Sequence, residues 1–365
     1  MTWVWIVLGF SALIILHEAG HFFAAKATGM RVEKFYLFFG PKLVAKKRGE
    51  TEYGIAAIPA GGYVKISGMN PDDVLPEGEE HRGYYEMPVW KRIVVIGAGP
   101  AVNIVLAFLI LFVVGLTSSV AATQEVETVI PKSPAGGVLE PGDRLVAVDG
   151  SRYLNRDQNG RAKGFRAEVN THGCARGSHR DGCIAVTPAR LTIERDGQIE
   201  TVLVRPEYSA AANRALVGFG FGSEPDDIGP GEAARKAGDF MWEVTTKTVT
   251  VFANLLDAEQ RKEVSGVVGT SAVANEAINE FGATEGFILL AVVSLSLGLI
   301  NLFPFLPLDG GHIFWSLVEK VRGRRVPFAV MERAGAVGFV LVIMLFFLGL
   351  SNDIGRLTGE GFNVR

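Results

Sequence analysis

Apolar residues dominate four stretches of the chain, at residues 3–25, 93–116, 287–306 and 334–350. About 20 apolar residues cross roughly 30 Å of hydrocarbon, so the pattern predicts a polytopic α-helical membrane protein with four transmembrane helices. The fourth is completed by an earlier start and tilt. No basic residue precedes the first stretch and no small-x-small cleavage site follows it, which favours a retained helix over a signal peptide. Basic residues near the spans set orientation. Lys320, Arg322, Arg324 and Arg325 lie between the third and fourth spans. Lys26, Arg31, Lys34, Lys42, Lys46, Lys47 and Arg48 follow the first, and Lys91 and Arg92 precede the second. Both loops are predicted to be cytoplasmic, with the termini and residues 117–285 outside.

Shorter periodicities fill the connections. Residues 51–67 read TEYGIAAIPAGGYVKIS, with β-type residues around a Pro-Ala-Gly-Gly turn, and predict a β-hairpin over about residues 50–68. It is too apolar for an ordinary connector; a small sheet packed on the helix ends accounts for it equally well. Between residues 125 and 222 the runs VETVI, DRLVAVDG, ARLTIERDG, ETVLVRP and VGFGF predict short strands separated by turns. Residues 151–182 interrupt them with little apolar periodicity and many Gly, Arg and Asn, like an insertion. Phe240, Met241, Val244, Val251, Phe252 and Leu255 recur at helical spacing and predict an amphipathic helix over 232–263. The chain therefore divides into residues 1–116, an outward β-rich domain at 117–230, a helix and linker at 231–285, and the last two spans at 286–365.

Composition agrees: 48% of residues are hydrophobic and 21% charged, with mean hydropathy +0.25. A formal charge of −3 gives no reason to expect nucleic acid. Cys174 and Cys183 are too few for a thiolate zinc cage. Placed outside, where disulfides persist, they are expected to pair as a local staple contributing about 2–3 kcal/mol.

The chemistry sits in the apolar stretches. His17-Glu18-Ala19-Gly20-His21 is an HExxH pattern. On a helix, positions i and i+4 share a face, so two imidazoles point at one metal, while Glu18 reaches a water beside it. Ionisable groups at membrane depth are costly and functional by default. A catalytic zinc takes three protein ligands and keeps one position open. Asp309, in the segment NLFPFLPLDGGH beginning at Asn301, is the acidic residue inside a later apolar segment. Pro304 and Pro307 unwind the chain before it, which is tolerated where backbone lines a site; the competing role is a helix N-cap. Asn103 and Asn301 are polar residues within spans, suited to lining a cleft or to interhelical hydrogen bonds.

HEAGH and NLFPFLPLDGG together resemble the site-2 protease family of intramembrane zinc metalloproteases, in particular the bacterial regulator-of-sigma-E protease group. The resemblance extends over nearly the whole chain. TEYGIAAIPAGGYVKISG is similar to the family's membrane re-entrant hairpin, Gly97-Ala-Gly-Pro100-Ala-Val-Asn103 to a motif opening the second span, and Ser133-Pro134-Ala135 with Leu139-Glu-Pro-Gly142-Asp143 to its PDZ signature. It implies four spans, a cytoplasmic hairpin and an extracytoplasmic PDZ-like domain. It implies one Zn²⁺ per chain on His17, His21 and Asp309, with Glu18 as catalytic base. Asn301 would contact substrate, and the hairpin edge at Tyr63, Val64 and Ile66 would hold it as an added strand. The implied substrates are single-span proteins of the bacterial inner membrane, of the anti-sigma-factor or signal-peptide-remnant type. Three departures stand out: the cysteine-bearing insertion, a PDZ signature one residue short between Ala135 and Leu139, and Ser265-Gly266-Val-Val-Gly269, where the family has proline after the first glycine. The first two bear on peptide binding by the PDZ-like domain. An inactive PDZ-bearing scaffold and a zinc transporter are the competing readings.

Overall fold

The computed structural model describes residues 2–70, 73–118, 120–152, 158–175, 180–209, 214–254, 257 and 266–358. In chain order the elements are α1 (Thr2–Ala27), β1 (Val32–Arg48), β2 (Thr51–Ile66), α2 (Val89–Thr117), β3 (Val120–Val129), β4 (Arg144–Val148) and β5 (Ser151–Arg152). Then come α3 (Gln158–Val169), β6 (Cys183–Ile184), β7 (Ala189–Arg195), β8 (Gln198–Val204), β9 (Glu207–Ser209), β10 (Arg214–Leu216) and β11 (Phe219–Pro225). The chain closes with α4 (Pro230–Ala253), α5 (Val267–Phe281), α6 (Ala283–Asn301), α7 (Asp309–Arg322) and α8 (Phe328–Thr358). Two compact units result, Met1–Leu116 with Gly229–Arg365, and Thr117–Ile228.

In the helical unit, four helices are long and apolar enough to cross a membrane: Val4–Ala27, Val89–Thr117, Ala283–Asn301 and Phe328–Gly355. Each of the four expected spans coincides with one of these helices. The third ends at Asn301, and residues 302–308 are irregular, because Pro304 and Pro307 supply no amide hydrogen to continue a helix. The fourth starts earlier than residue 334. Its last turns carry Asp353, fully buried, which accepts the amide hydrogens of Gly266 and Gly269 at 3.0 and 2.7 Å and so caps α5 from another helix. Helix α5 was not expected; its sequence read as linker. The amphipathic helix ends at Ala253 rather than near 263, and Leu255 lies outside the described residues. Ala237, Met241 and Val244 of α4 pack against α2 and α6 around Leu111 and Leu295.

The hairpin is larger than expected. It begins at Val32 rather than about residue 50, and its principal turn is at Gly49 (φ 64°), not Pro59-Ala-Gly-Gly. Both strands bend, β1 where Phe38 and Gly40 take positive φ and β2 at Gly61. Segment 51–56 pairs on one side with 42–48 (Arg48↔Thr51, Val44↔Ile55) and on the other with 34–37 (Lys34↔Glu52, Leu37↔Ile55). Segment 34–37 pairs in turn with 62–66 (Phe35↔Val64, Tyr36↔Tyr63). The result is a four-segment sheet whose outer segments are 42–48 and 62–66. The Tyr36 ring lies over Gly54, where a Cβ would sit 2.4 Å from it. At the turn, Arg82 and, secondarily, Lys26 hold the Glu50 carboxyl down to about 2. The Lys26 ion pair ties the turn to the end of α1, and the Arg82 pair ties it to the segment that follows β2.

In the second unit a six-stranded sheet runs β11-β3-β4-β7-β8 with β5 beside β4, and β10-β9-β6 form a smaller sheet. Strand residues Val126, Leu145, Val148, Leu191, Ile193 and Val204 contribute to its core, alternation being broken in β4 by an irregularity between Leu145 and Ala147. The expected insertion at 151–182 is only partly one. Residues 158–169 form α3, whose Phe165 and Val169 join that core. The Phe165 ring stands edge-on to Phe219 and Phe221 at 5.3 and 5.5 Å. Two core positions four apart were hidden among glycines and arginines. Residues 153–157 and 176–179 of the stretch lie outside the described residues. Cys174 and Cys183 are joined, with Cα atoms 6.2 Å apart.

Candidate metal centre

His17 and His21 project from one face of α1, as i and i+4 must, and each is 7% exposed. Asp309 is the first residue of α7. The N-cap position belongs to Leu308, and no side chain caps the helix, so Asp309 is released from the capping role. Its Oδ2 lies 3.2 Å from His17 Nε2 and 3.3 Å from His21 Nε2. The two Nε2 atoms are 3.3 Å apart. Gly310 and Gly311 make this presentation possible: a Cβ at either would strike the 302–306 backbone at 2.2 or 2.4 Å.

These three atoms fit a metal. A tetrahedral ion bonded at about 2.0–2.1 Å to nitrogen and oxygen has ligand-to-ligand edges of about 3.3 Å, the spacing found on all three sides. His21 Nδ1 donates to the Val95 carbonyl oxygen at 2.9 Å. A carbonyl only accepts, so Nδ1 carries the hydrogen and Nε2 keeps a lone pair for a ligand. Asp309 Oδ2 is buried without a hydrogen bond. Lone pairs converging in an apolar interior require a cation between them, and two imidazoles with one carboxylate suit zinc. Among the described residues, His17, His21 and Asp309 are the group with metal-ligand spacing.

The wall opposite is α2. A Cβ at Gly99 would lie 2.3 Å from His21 Nε2 and 2.9 Å from His17 Nε2, inside the volume a metal needs. Gly99 was not singled out from sequence; its signal was the Gly97-Ala-Gly-Pro100 run in a helix of bulky apolar residues, since glycine in a membrane helix marks close approach. One turn further along α2, Asn103 is fully buried with neither side-chain polar atom hydrogen-bonded. Ser294 Oγ donates to its backbone carbonyl at 2.8 Å.

The hairpin reaches this site by its outer segment. Gly62 packs on Glu18, a Cβ there coming 3.2 Å from Glu18 Cγ. The Val64 backbone amide is directed at the Glu18 carboxylate. Tyr63 stacks with Tyr36 and Phe39 at 5.4 and 5.8 Å. The Ile66 side chain is 3% exposed and packs with Phe22, Ala25, Met30, Val95 and Ile96, so it anchors the strand. Asn301 turns back on its own helix, donating from Nδ2 to the Leu297 carbonyl at 3.0 Å.

Residues 5–345 match the family described as Peptidase family M50. The chain is 32% identical to a Clostridium perfringens protein named "Putative zinc metalloprotease", over 96% of this chain and 98% of that one. It is 29% identical to the zinc metalloprotease Rip1 of Mycolicibacterium smegmatis, over 94% and 92%. A Campylobacter jejuni protein, also named "Putative zinc metalloprotease", is 27% identical over 97% and 93%.

Proposed function

The chain belongs to peptidase family M50, the site-2 protease family, and as a multi-pass membrane zinc metalloendopeptidase we propose that it cuts transmembrane segments of single-span proteins within the bilayer. The observation that carries this reading is the His17–His21–Asp309 triangle, formed between an apolar membrane-length helix and the helix that follows another. A site held by membrane-length helices suits a substrate that reaches it through the bilayer. Family membership sets aside the transporter and inactive-scaffold readings.

His17 Nε2, His21 Nε2 and Asp309 Oδ2 would hold one Zn²⁺. Bound there, zinc supplies Lewis acidity that polarises a peptide carbonyl and acidifies water. Glu18 takes a proton from the attacking water on its carboxylate and returns it to the leaving amide nitrogen. The Val64 amide and the packing of Gly62 hold Glu18 in position. Substrate backbone pairs with the outer edge of segment 62–66, a strand-addition mode in which main-chain hydrogen bonds supply affinity. Asn103, fully buried with donor and acceptor both open, meets the cleft only as the helices part to admit substrate; Asn301 reaches substrate only on releasing Leu297. The loops rich in Lys and Arg lie in the cytoplasm of a bacterial cell, the chain in its inner membrane, and the β-rich unit, PDZ-like by its Ser133-Pro134-Ala135 signature, outside. Substrates of the anti-sigma-factor or signal-peptide-remnant type fit this arrangement.

The test separates metal from turnover. Glu18→Gln is expected to retain stoichiometric zinc while losing turnover by about 10²–10⁴-fold or more, and to accumulate its substrates in cells. Native-rate cleavage by Glu18→Gln would overturn the hydrolytic role.

A further inference from the structure

Arg92 is the one buried arginine or lysine among the described residues, at 2% exposure, and nothing in the metal site uses it. It sits near the start of α2. Its Nη1 and Nη2 donate to Glu319 Oε2 and Oε1 of α7 at 2.9 and 2.7 Å, a fork-to-fork pair. Its Cζ also lies over the rings of Tyr84 and Tyr85, at 5.9 and 5.5 Å. The guanidinium is therefore held on several sides.

Glu319 and Asp309 belong to one helix of 14 residues. Asp309, His312, Ser316 and Glu319 follow at intervals of three and four and share one face, with about 15 Å of helix axis between first and last. Helix α7 is too short to span a membrane. It is entered from the irregular residues 302–308 and left through Gly323 in the left-handed conformation, φ 67°. Ile313 packs α7 against the cluster that includes Val95 and Ile96 of α2. Among the described residues, the charged attachments of α7 to α1 and α2 are Asp309 at one end and Glu319 at the other. A buried ion pair is weak evidence for stability, and register is its best-attested use.

We propose that Arg92 and Glu319 are positioning residues for the metal: their forked pair sets the axial register of α7 and so the reach of Asp309 Oδ2 to the two histidines. This rests on the metal reading of the triad. The test uses the full chain in detergent, with zinc affinity measured by chelator competition and the ligand field read from the visible absorption of Co²⁺. Wild type should bind one ion and His21→Ala none; if wild type bound none, the metal reading itself would fail. Glu319→Gln, nearly isosteric, is expected to weaken zinc about tenfold and to alter the cobalt band. Arg92→Lys should do likewise, because an ammonium cannot fork. The paired variant Arg92→Met with Glu319→Met leaves no orphaned charge, so folding is retained, yet zinc should stay weakened about tenfold. A folded paired variant with wild-type zinc affinity and cobalt spectrum would reduce the pair to a packing contact. If that variant does not fold, Glu319→Gln decides by the same two readouts.

Discussion

At the scale of single residues, the candidate site is defined as much by an absence of side chain as by the groups that would hold a metal. The grouping of His17, His21 and Asp309 was legible in the sequence because motif spacing and charge at membrane depth both advertise it. Gly99 was not, because a glycine's contribution is the space it leaves, and that depends on a helix far away in sequence. The 2.3 Å from a Cβ at 99 to His21 Nε2 makes a sharp prediction. Gly99→Ala should fold, since it adds one methyl group within a helix, but should lose bound zinc and with it activity. Metal analysis of purified Gly99→Ala checks this; a full zinc complement would show that α2 yields rather than the metal. Glu319 was invisible for a related reason: an acid beside Lys320 on an amphipathic helix reads as a solvated face until its partner is known.

At the scale of elements, the spans were legible, since hydropathy over 20 residues outweighs local detail. The hairpin was legible only in its second strand. Residues 42–48, PKLVAKKR with the preceding proline, carry enough positive charge to look like a juxtamembrane loop, yet pair as an outer strand because residues 51–56 offer a free edge. Helix α5 and core helix α3 were missed because tertiary contacts stabilise them: the Asp353 cap in one case, burial of Phe165 and Val169 in the other. The Val64 amide faces Glu18, so Val64→Pro removes the donor proposed to orient Glu18 and one edge group at once. Turnover is expected to fall at least tenfold with zinc content normal. A proline at Lys46, on the opposite outer segment, should leave turnover near wild type. Equal effects at the two positions, measured on one membrane substrate, would contradict a distinct role for segment 62–66.

At the scale of the molecule, the chain separates into a helical unit that holds every proposed catalytic group and a β-rich unit that holds both cysteines. The outward domain was expected over 117–230, and the compact β-rich unit spans Thr117–Ile228; a membrane helix and an alternating strand pattern have different periods, so the two stretches read differently in the sequence. The Cys174–Cys183 bond closes a short loop and is worth about 2–3 kcal/mol to its own unit. Replacing both cysteines by serine should lower the β-rich unit's resistance to protease while leaving zinc stoichiometry and cleavage of a short transmembrane substrate unchanged. Limited proteolysis with metal analysis on one sample reads both; loss of zinc would mean the two units are coupled.

Under the proposed strand addition, the outer edge of segment 62–66 would also act as a ruler. Ser67 donates its amide hydrogen inward to Arg31 while the Val64 amide faces outward to Glu18, so outward-facing backbone groups recur at every second residue, 62, 64 and 66. A strand laid along this edge can shift by two residues and keep its side chains on the same faces, but a shift of one turns every side chain over. Imprecise cutting should therefore leave product termini that differ by two residues, with the odd-numbered neighbours missing from the mass spectrum.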